Sequence, residues 1–483
     1  MKKIFLLLFF AQIIFFVIIP PFQIPDEPGH YENVYWLKKG KYPYQVLKKE
    51  QEYDYFNEEM IKYYPTQFSL DKIKDNPLRK KIKSDFETKI PKDYQPINFQ
   101  AYHPFFYYLI LTPSQFIADI LKVDLITRFY LTRFLSAIFF WLIFFFVYKI
   151  LKIYQLPIND QKTFFLLYGL NPLVLFYSIG INPDVGVTIF STFLLYLALK
   201  FKNKLSSKNI FILGIVSGIC YLNKTSGIFS LFFIFLLLLF KNWSLLKKIK
   251  KYFFFLIVFL ITISPWIYIS LSRYHTLTTP AFHIAHQAPL QPHGFFAAAI
   301  LALYEFRHTI MHYSPFLGAQ NHIWPNKFYF SLYTFIVSMV FLYGFVNFFK
   351  KYLILSLYLL SSVFFFFILG FYFKKIGFLW DLQGRYFLLS FFSFYFFVFL
   401  GAKKILKKKS DLIISAFAII NLLAIVFTLI IPRFYPHQNI LHALNILYPD
   451  FSYLFIFGLS GFLITIKTIL QESISTFFKQ KQI

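Results

Sequence analysis

Long apolar runs dictate what this chain can become. Hydrophobic residues occupy 58% of its 483 positions, and most fall in runs of sixteen or more with hardly a charge. That is the length a helix needs to cross a hydrocarbon core, and a soluble fold has no place for so many such runs. Twelve runs lie near residues 4–19, 128–148, 163–180, 184–199, 209–223, 226–240, 252–272, 329–349, 352–373, 386–401, 411–431 and 451–468. The expected fold class is all-α: a polytopic transmembrane helical bundle of about 12 spans with a helical first outer loop. Phe occurs 71 times, a count that reads as coding bias beside abundant Lys, Ile and Tyr and carries no function.

A net charge of +27 raises the question of a nucleic-acid partner. The basic residues sit in short clusters between apolar runs, where they orient helices by the positive-inside rule, so no nucleic acid is expected. The single cysteine, Cys220, lies inside an apolar run; an internal disulfide and multi-thiol metal sites are excluded. The opening MKKIFLLLFFAQIIFFVIIPPF has the charged start of a signal peptide but no small-x-small cleavage site, which predicts a retained first span.

With Lys2 and Lys3 in the cytoplasm, residues 20–127 form a first outer loop, provided the run 105–121 does not cross. That run is then expected to lie on the outer surface, interrupted by Pro113, with Ser114, Gln115 and Asp119 facing water. The choice places Lys149/Lys152, KFKNKLSSK, KNWSLLKKIKK, Lys350/Lys351 and KKILKKK inside. Only Lys374/Lys375 falls outside. The chain divides into an N-terminal membrane module, 1–272, an outer loop, 273–328, and C-terminal membrane helices, 329–483. Before its surface helix the first loop carries 13 of the 22 acidic residues, and the second loop holds seven of the eleven histidines.

Candidate chemistry gathers at the outer ends of the runs. Asp26 and Glu27 stand at the mouth of the first span between Pro25 and Pro28, where a restrained carboxylate can act as general base or metal ligand; a solvated turn is the plainer reading. Asp184, in SIGINPDVGV, is either a membrane-edge acid with a function or a helix N-terminal acid after Pro183. Lys224 and Arg385 sit at outer helix ends, against the positive-inside trend. All seven arginines fall on the outer side, while inner loops use lysine; a planar fork suits phosphate or carboxylate, and Arg385 and Arg133 are the candidates for such contact. His103 and His30 are further outer polar groups. Glu305, His308 and His312 share a helix face, as a hydrogen-bonded cluster or a metal site.

These residues, in this order, resemble the GT-C superfamily of polytopic glycosyltransferases. PPFQIPDEPGHYENVYWLKKG looks like the DE-containing opening of the first outer loop, and YHPFFYYLI like the juxtamembrane helix. TRFLSAI resembles the Arg-containing start of the second span, INPDV the second acidic site, and QGRYFLLS the late GRYLLP-type segment. The likeness covers the first ~230 residues and the segment around Arg385, with more distant similarity to protein O-mannosyltransferases and lipid A aminoarabinose transferases. Phe105 and Leu389 stand where the pattern has proline.

The resemblance implies transfer of a sugar from a polyprenyl-phosphate donor to the hydroxyl of a lipid, glycan or protein acceptor on the outer face of the cell membrane. It implies catalytic Asp26 and Glu27, with Asp184, Lys224, Arg385, Arg133 and His103 binding substrate, and a divalent metal held by Glu27 and Asp184. The rival reading is a polytopic transporter or flippase, whose aqueous central pathway would need charges at mid-membrane rather than at helix ends. An O-antigen-type polymerase is a second rival, and it leaves the DE opening unexplained.

Overall fold

A computed structural model describes residues 1–21, 24, 26–40, 100, 103–274, 292–311, 327–376, 384–435, 439–447 and 450–479. The helical layer expected in the acidic part of the first loop, together with Arg79 and His312, lies outside the described residues. The described residues contain no strand. In chain order the helices are α1 (Lys2–Ile18), α2 (Glu27–Lys38), α3 (Phe106–Ile120), α4 (Leu125–Ile153), α5 (Ile158–Gly169), α6 (Pro172–Ser178), α7 (Pro183–Lys200) and α8 (Ser207–Asn223). Then follow α9 (Phe229–Leu239), α10 (Leu245–Tyr274), α11 (Phe295–Met311), α12 (Lys327–Phe348), α13 (Leu353–Lys375), α14 (Leu388–Leu406), α15 (Ser410–Ile425), α16 (Ile440–Leu447) and α17 (Phe451–Lys479).

Among the described residues, six stretches are long and apolar enough to cross a membrane: Ile126–Ile153, Pro183–Lys200, Leu245–Ser272, Leu353–Lys375, Arg385–Ile430 and Phe451–Ile469. The last but one spans α14 and α15, which are joined by a turn at Lys407 (φ 49°). Along α4, Phe134, Ile138, Leu142 and Phe145 stay exposed on one stripe, a face that lipid satisfies and water would penalise. α1 runs through the core, packed on α17, with Leu7, Leu8, Phe15, Val17 and Ile18 fully buried. Its one interior polar side chain is fully used: Gln12 Nε2 donates to the carbonyls of Ala137 (3.2 Å) and Ser178 (3.3 Å), and Trp141 Nε1 donates to Oε1 (2.8 Å). α12 and α14 meet backbone to backbone, since a Cβ on Gly344 would lie 2.0 Å from the Phe397 carbonyl. Small residues permit this approach where helices pack in lipid.

Three sequence expectations are corrected. The run 163–180 is not one helix: it breaks at Asn171, whose side chain caps the Leu173 amide while Pro172 opens α6. α3 is a helix packed on α2 and α4, but Pro113 does not interrupt it. Pro113 has no N–H for the Leu109 carbonyl, and the Thr112 hydroxyl donates to that oxygen instead (2.8 Å). Nor do Ser114 and Gln115 face water. Both are buried against Thr132 (2.8 and 2.6 Å), while Leu109, Phe116, Ile117, Ile120 and Leu121 are exposed. A helix at a lipid boundary spends its polar groups on its own protein and turns its apolar ones outward, inverting the aqueous pattern. Asp119, at its far end, is half exposed and pairs with Lys38 and Arg128.

Candidate functional site

The sequence around the DE pair builds a junction between α1 and α2. Asp26 caps α2 in the left-handed region (φ 61°), a conformation Asp tolerates better than most residues, and helical geometry resumes at Glu27. The reversal sends the two neighbouring carboxylates to different partners. Glu27 is fully buried and paired side-on with Arg133, whose Nε donates to Oε1 (3.1 Å) and whose NH2 donates to Oε2 (2.8 Å). Arg133 also donates to the carbonyls of Ile19 (2.7 Å) and Pro20 (3.0 Å), where α1 ends, and the Ile181 amide donates to Glu27 Oε1 (3.2 Å). One buried pair thereby ties together α1, α2, α4 and the turn before α7.

That turn is INPDV. Asn182 caps α7 by accepting from the Asp184 amide (2.9 Å), and its own amide donates to the Tyr107 hydroxyl (3.0 Å). Ser136 donates to the Gly180 carbonyl (2.6 Å). Gly186, one turn into α7, leaves room for Asn223, since a Cβ there would lie 2.2 Å from Asn223 Oδ1. Asn223 ends α8, and Lys224 continues in extended backbone (φ −156°, ψ 140°), which carries its amine to Asp184 Oδ1 (2.7 Å). A 3₁₀ turn, Gly384–Phe387, opens α14 and delivers Arg385.

The structure thus brings together Asp26, Asp184, Lys224 and Arg385 from four distant segments. Arg385 NH2 donates to Asp26 Oδ2 (2.6 Å), and its Nε lies 4.0 Å from Asp184 Oδ2. Both cations lie over the Tyr386 ring, Lys224 at 4.8 Å and Arg385 at 5.3 Å from its centre, an arrangement that favours positive charge without neutralising it. The Arg385 side chain is 6% exposed and that of Asp26 38%. Among the described residues, Arg385 Nε and NH1 and Asp184 Oδ2 have no hydrogen-bond partner. Desolvation pushes the Asp26 carboxyl up, but the charge and hydrogen bond of Arg385, with Lys224 behind, outweigh it and hold it below the ordinary carboxylate range.

His103 stands beside this cluster, 5.4 Å ring to ring from His30, which shares a 2.8 Å hydrogen bond with the Tyr108 hydroxyl. Burial, then the charge of Lys224, pushes His103 down to about 3 despite the opposing carboxylate of Asp26. Burial likewise pushes His30 well below the ordinary histidine range. Glu27 and Arg133 are not in the cluster but form the buried brace behind it. Sequence reasoning did not single out Tyr386 or Tyr107; each follows a residue of a quoted motif, and only the fold shows what its ring or hydroxyl meets.

The donor set does not fit a divalent metal at Glu27 and Asp184. Both Glu27 oxygens are taken by Arg133, and Asp184 Oδ1 by Lys224. Among the described residues no three His, Cys, Asp or Glu side chains converge as ligands. Anions in this cluster are already matched to cations, the reverse of the surplus negative charge that holds a hard divalent ion.

The fold and the cluster define a polytopic membrane protein whose charged residues gather at helix ends. Residues 8–393 match the family described as predicted membrane protein (DUF2142), and the chain belongs to it. The matched stretch includes every residue of the cluster. No curated protein matches the chain. Among solved structures, that of ArnT from Cupriavidus metallidurans in the apo state is similar over 79% of this chain and 70% of that one, at 13% identity and a TM-score of 0.41.

Proposed function

We propose that this protein is a membrane glycosyltransferase of the GT-C type, moving a sugar from a polyprenyl-phosphate donor to an acceptor hydroxyl on the outer face of a cell membrane it crosses about twelve times. The observation that carries this reading is Arg385, buried with two unspent donor nitrogens beside Lys224 and in contact with the half-exposed carboxylate of Asp26. Unspent buried donors are costly unless a ligand satisfies them, and a guanidinium beside an ammonium satisfies phosphate.

The chemistry requires two opposite services. The acceptor oxygen attacks the anomeric carbon while its proton passes to Asp26. The bond from that carbon to the phosphate oxygen breaks, and its electron pair leaves on the lipid phosphate, where Arg385 and Lys224 balance the growing charge. His103, neutral and adjacent, can hydrogen-bond a sugar hydroxyl without competing for the phosphate. Glu27 and Arg133 position Asp26 and contact no substrate.

The test is to incubate purified protein with a panel of polyprenyl-phosphate sugars and an extract of acceptors, detecting released polyprenyl phosphate by mass spectrometry. Asp26→Asn, nearly isosteric but unable to take the proton, is expected to lower turnover about a hundredfold or more while donor binding persists. Movement of intact lipid-linked sugar across a bilayer with no polyprenyl phosphate released would instead identify a flippase.

A further inference from the structure

Arg385 has two tasks in this reading and one guanidinium to do them with. Its NH2 is held end-on by Asp26 Oδ2, yet Nε and NH1 are unspent among the described residues. A second carboxylate oxygen, Asp184 Oδ2, waits without a hydrogen bond 4.0 Å from Nε. A shift of about 1 Å would turn that separation into a hydrogen bond. Arg385 therefore has two carboxylates within reach and bonds to one of them.

We propose that donor phosphate competes with Asp26 for Arg385, so that the base is held by the arginine until the lipid-linked sugar arrives and is freed when it does. The inference rests on the glycosyltransferase reading and adds an order to it: donor first, then deprotonation of the acceptor. Charge balance points the same way. Two carboxylates, Asp26 and Asp184, face two cations, Lys224 and Arg385, while His30, His103, Tyr177 and Tyr386 are the remaining titratable neighbours. A phosphodiester brings one negative charge more than the cations can match. That surplus is relieved when Asp26 takes a proton, which is what a general base must do. Before the donor binds there is no such pull, and an acceptor alone meets a carboxylate already satisfied by Arg385.

Competition for a shared cation has a counterintuitive signature: removing the base should improve binding of the anion. The experiment measures affinity of the purified full-length protein in nanodiscs for farnesyl phosphate, with farnesol as the lipid control. Asp26→Asn is expected to tighten farnesyl phosphate about tenfold and to leave farnesol unchanged. Asp26→Gly, suited to the φ of 61° at this position, should do the same if the Asn variant folds poorly. In an Arg385→Lys background the gain from Asp26→Asn should vanish, because the shared fork is gone. Unchanged or weaker binding in both Asp26 variants overturns the proposal, and so does a gain that survives Arg385→Lys intact. Either result, with sugar transfer by the parent still observed, removes the sharing and leaves the transferase reading standing. Farnesyl phosphate binding to neither parent nor variants overturns both.

Discussion

Asp26 and Glu27 are neighbours in the chain with opposite surroundings, because the backbone reverses at Asp26 and because Arg133 claims Glu27 from 106 positions away. Five residues further, Glu32 is a third kind of acid. It is buried on α2, and burial pushes its carboxyl up to about 8 despite a hydrogen bond from Trp36. The folded protein thus holds a proton that the unfolded chain gives up in the ordinary glutamate range. Its contribution to stability is whole below that range, declines as pH rises through it, and is lost by about pH 8. Glu32→Gln keeps the shape and removes the titration. Melting of the parent should therefore fall relative to the variant between about pH 5 and about pH 8, and parallel curves would show that Glu32 is already ionised in the fold. At this scale the sequence points to candidates and not to partners. Asp26, Asp184, Lys224 and Arg385 are legible because a charge at the end of an apolar run is costly unless it is paired or used. The division of labour between Asp26 and Glu27 depends on one backbone angle and one remote arginine, neither of which any local pattern encodes.

Among elements, the Arg133–Glu27 pair acts as a brace, fixing the end of α1, the start of α2 and the turn before α7 on the side of α4. Its geometry is bidentate and every Glu27 oxygen is occupied, the condition under which a buried pair offsets its desolvation. Arg133→Ala strands the Glu27 charge and should cost about 3–5 kcal/mol in reversible unfolding in mixed micelles. Glu27→Gln with Arg133→Met, which leaves no buried charge, should recover most of the stability but not the turnover, because Asp26 loses its fixed frame. Equal loss in the single and double variants would mean that the brace acts through packing alone. The apolar runs of the sequence become helical, the run 163–180 as two helices and not one, since lipid leaves the backbone few alternatives. The break at Asn171 escapes hydropathy because its flanks are equally apolar, although the Asn-Pro dipeptide is itself a turn signal. The facing of α3 escapes it because amphipathicity reads the same whether the apolar side meets protein or lipid.

For the whole molecule, α14 is a ruler. Arg385 precedes it and Lys403 lies near its end, 18 residues on; at 1.5 Å per residue that is about 27 Å, close to the thickness of a hydrocarbon core. Lys403 holds Asp160 (2.7 Å) and Asp411 (3.0 Å), joining the start of α5 and the start of α15 to the end of α14. The charged cluster with Arg385 and this clamp therefore lie at opposite ends of the bundle. Beyond the clamp come Lys404 and Lys407–Lys409, a dense basic group at a helix end, which the positive-inside rule assigns to the cytoplasm. On the orientation proposed above, the cluster is expected to face outward, where the sequence expects the chemistry. Cys220 is buried, so single added cysteines are expected to report the sidedness. Lys39→Cys, just past the end of α2, should react with an impermeant maleimide on intact cells, and exposed Lys408→Cys only after permeabilisation. The reverse pattern would invert the molecule and place Asp26 in the cytoplasm. Labelling of both from outside would mean that α14 does not cross, and the distance along it would then separate two points on one face rather than two faces.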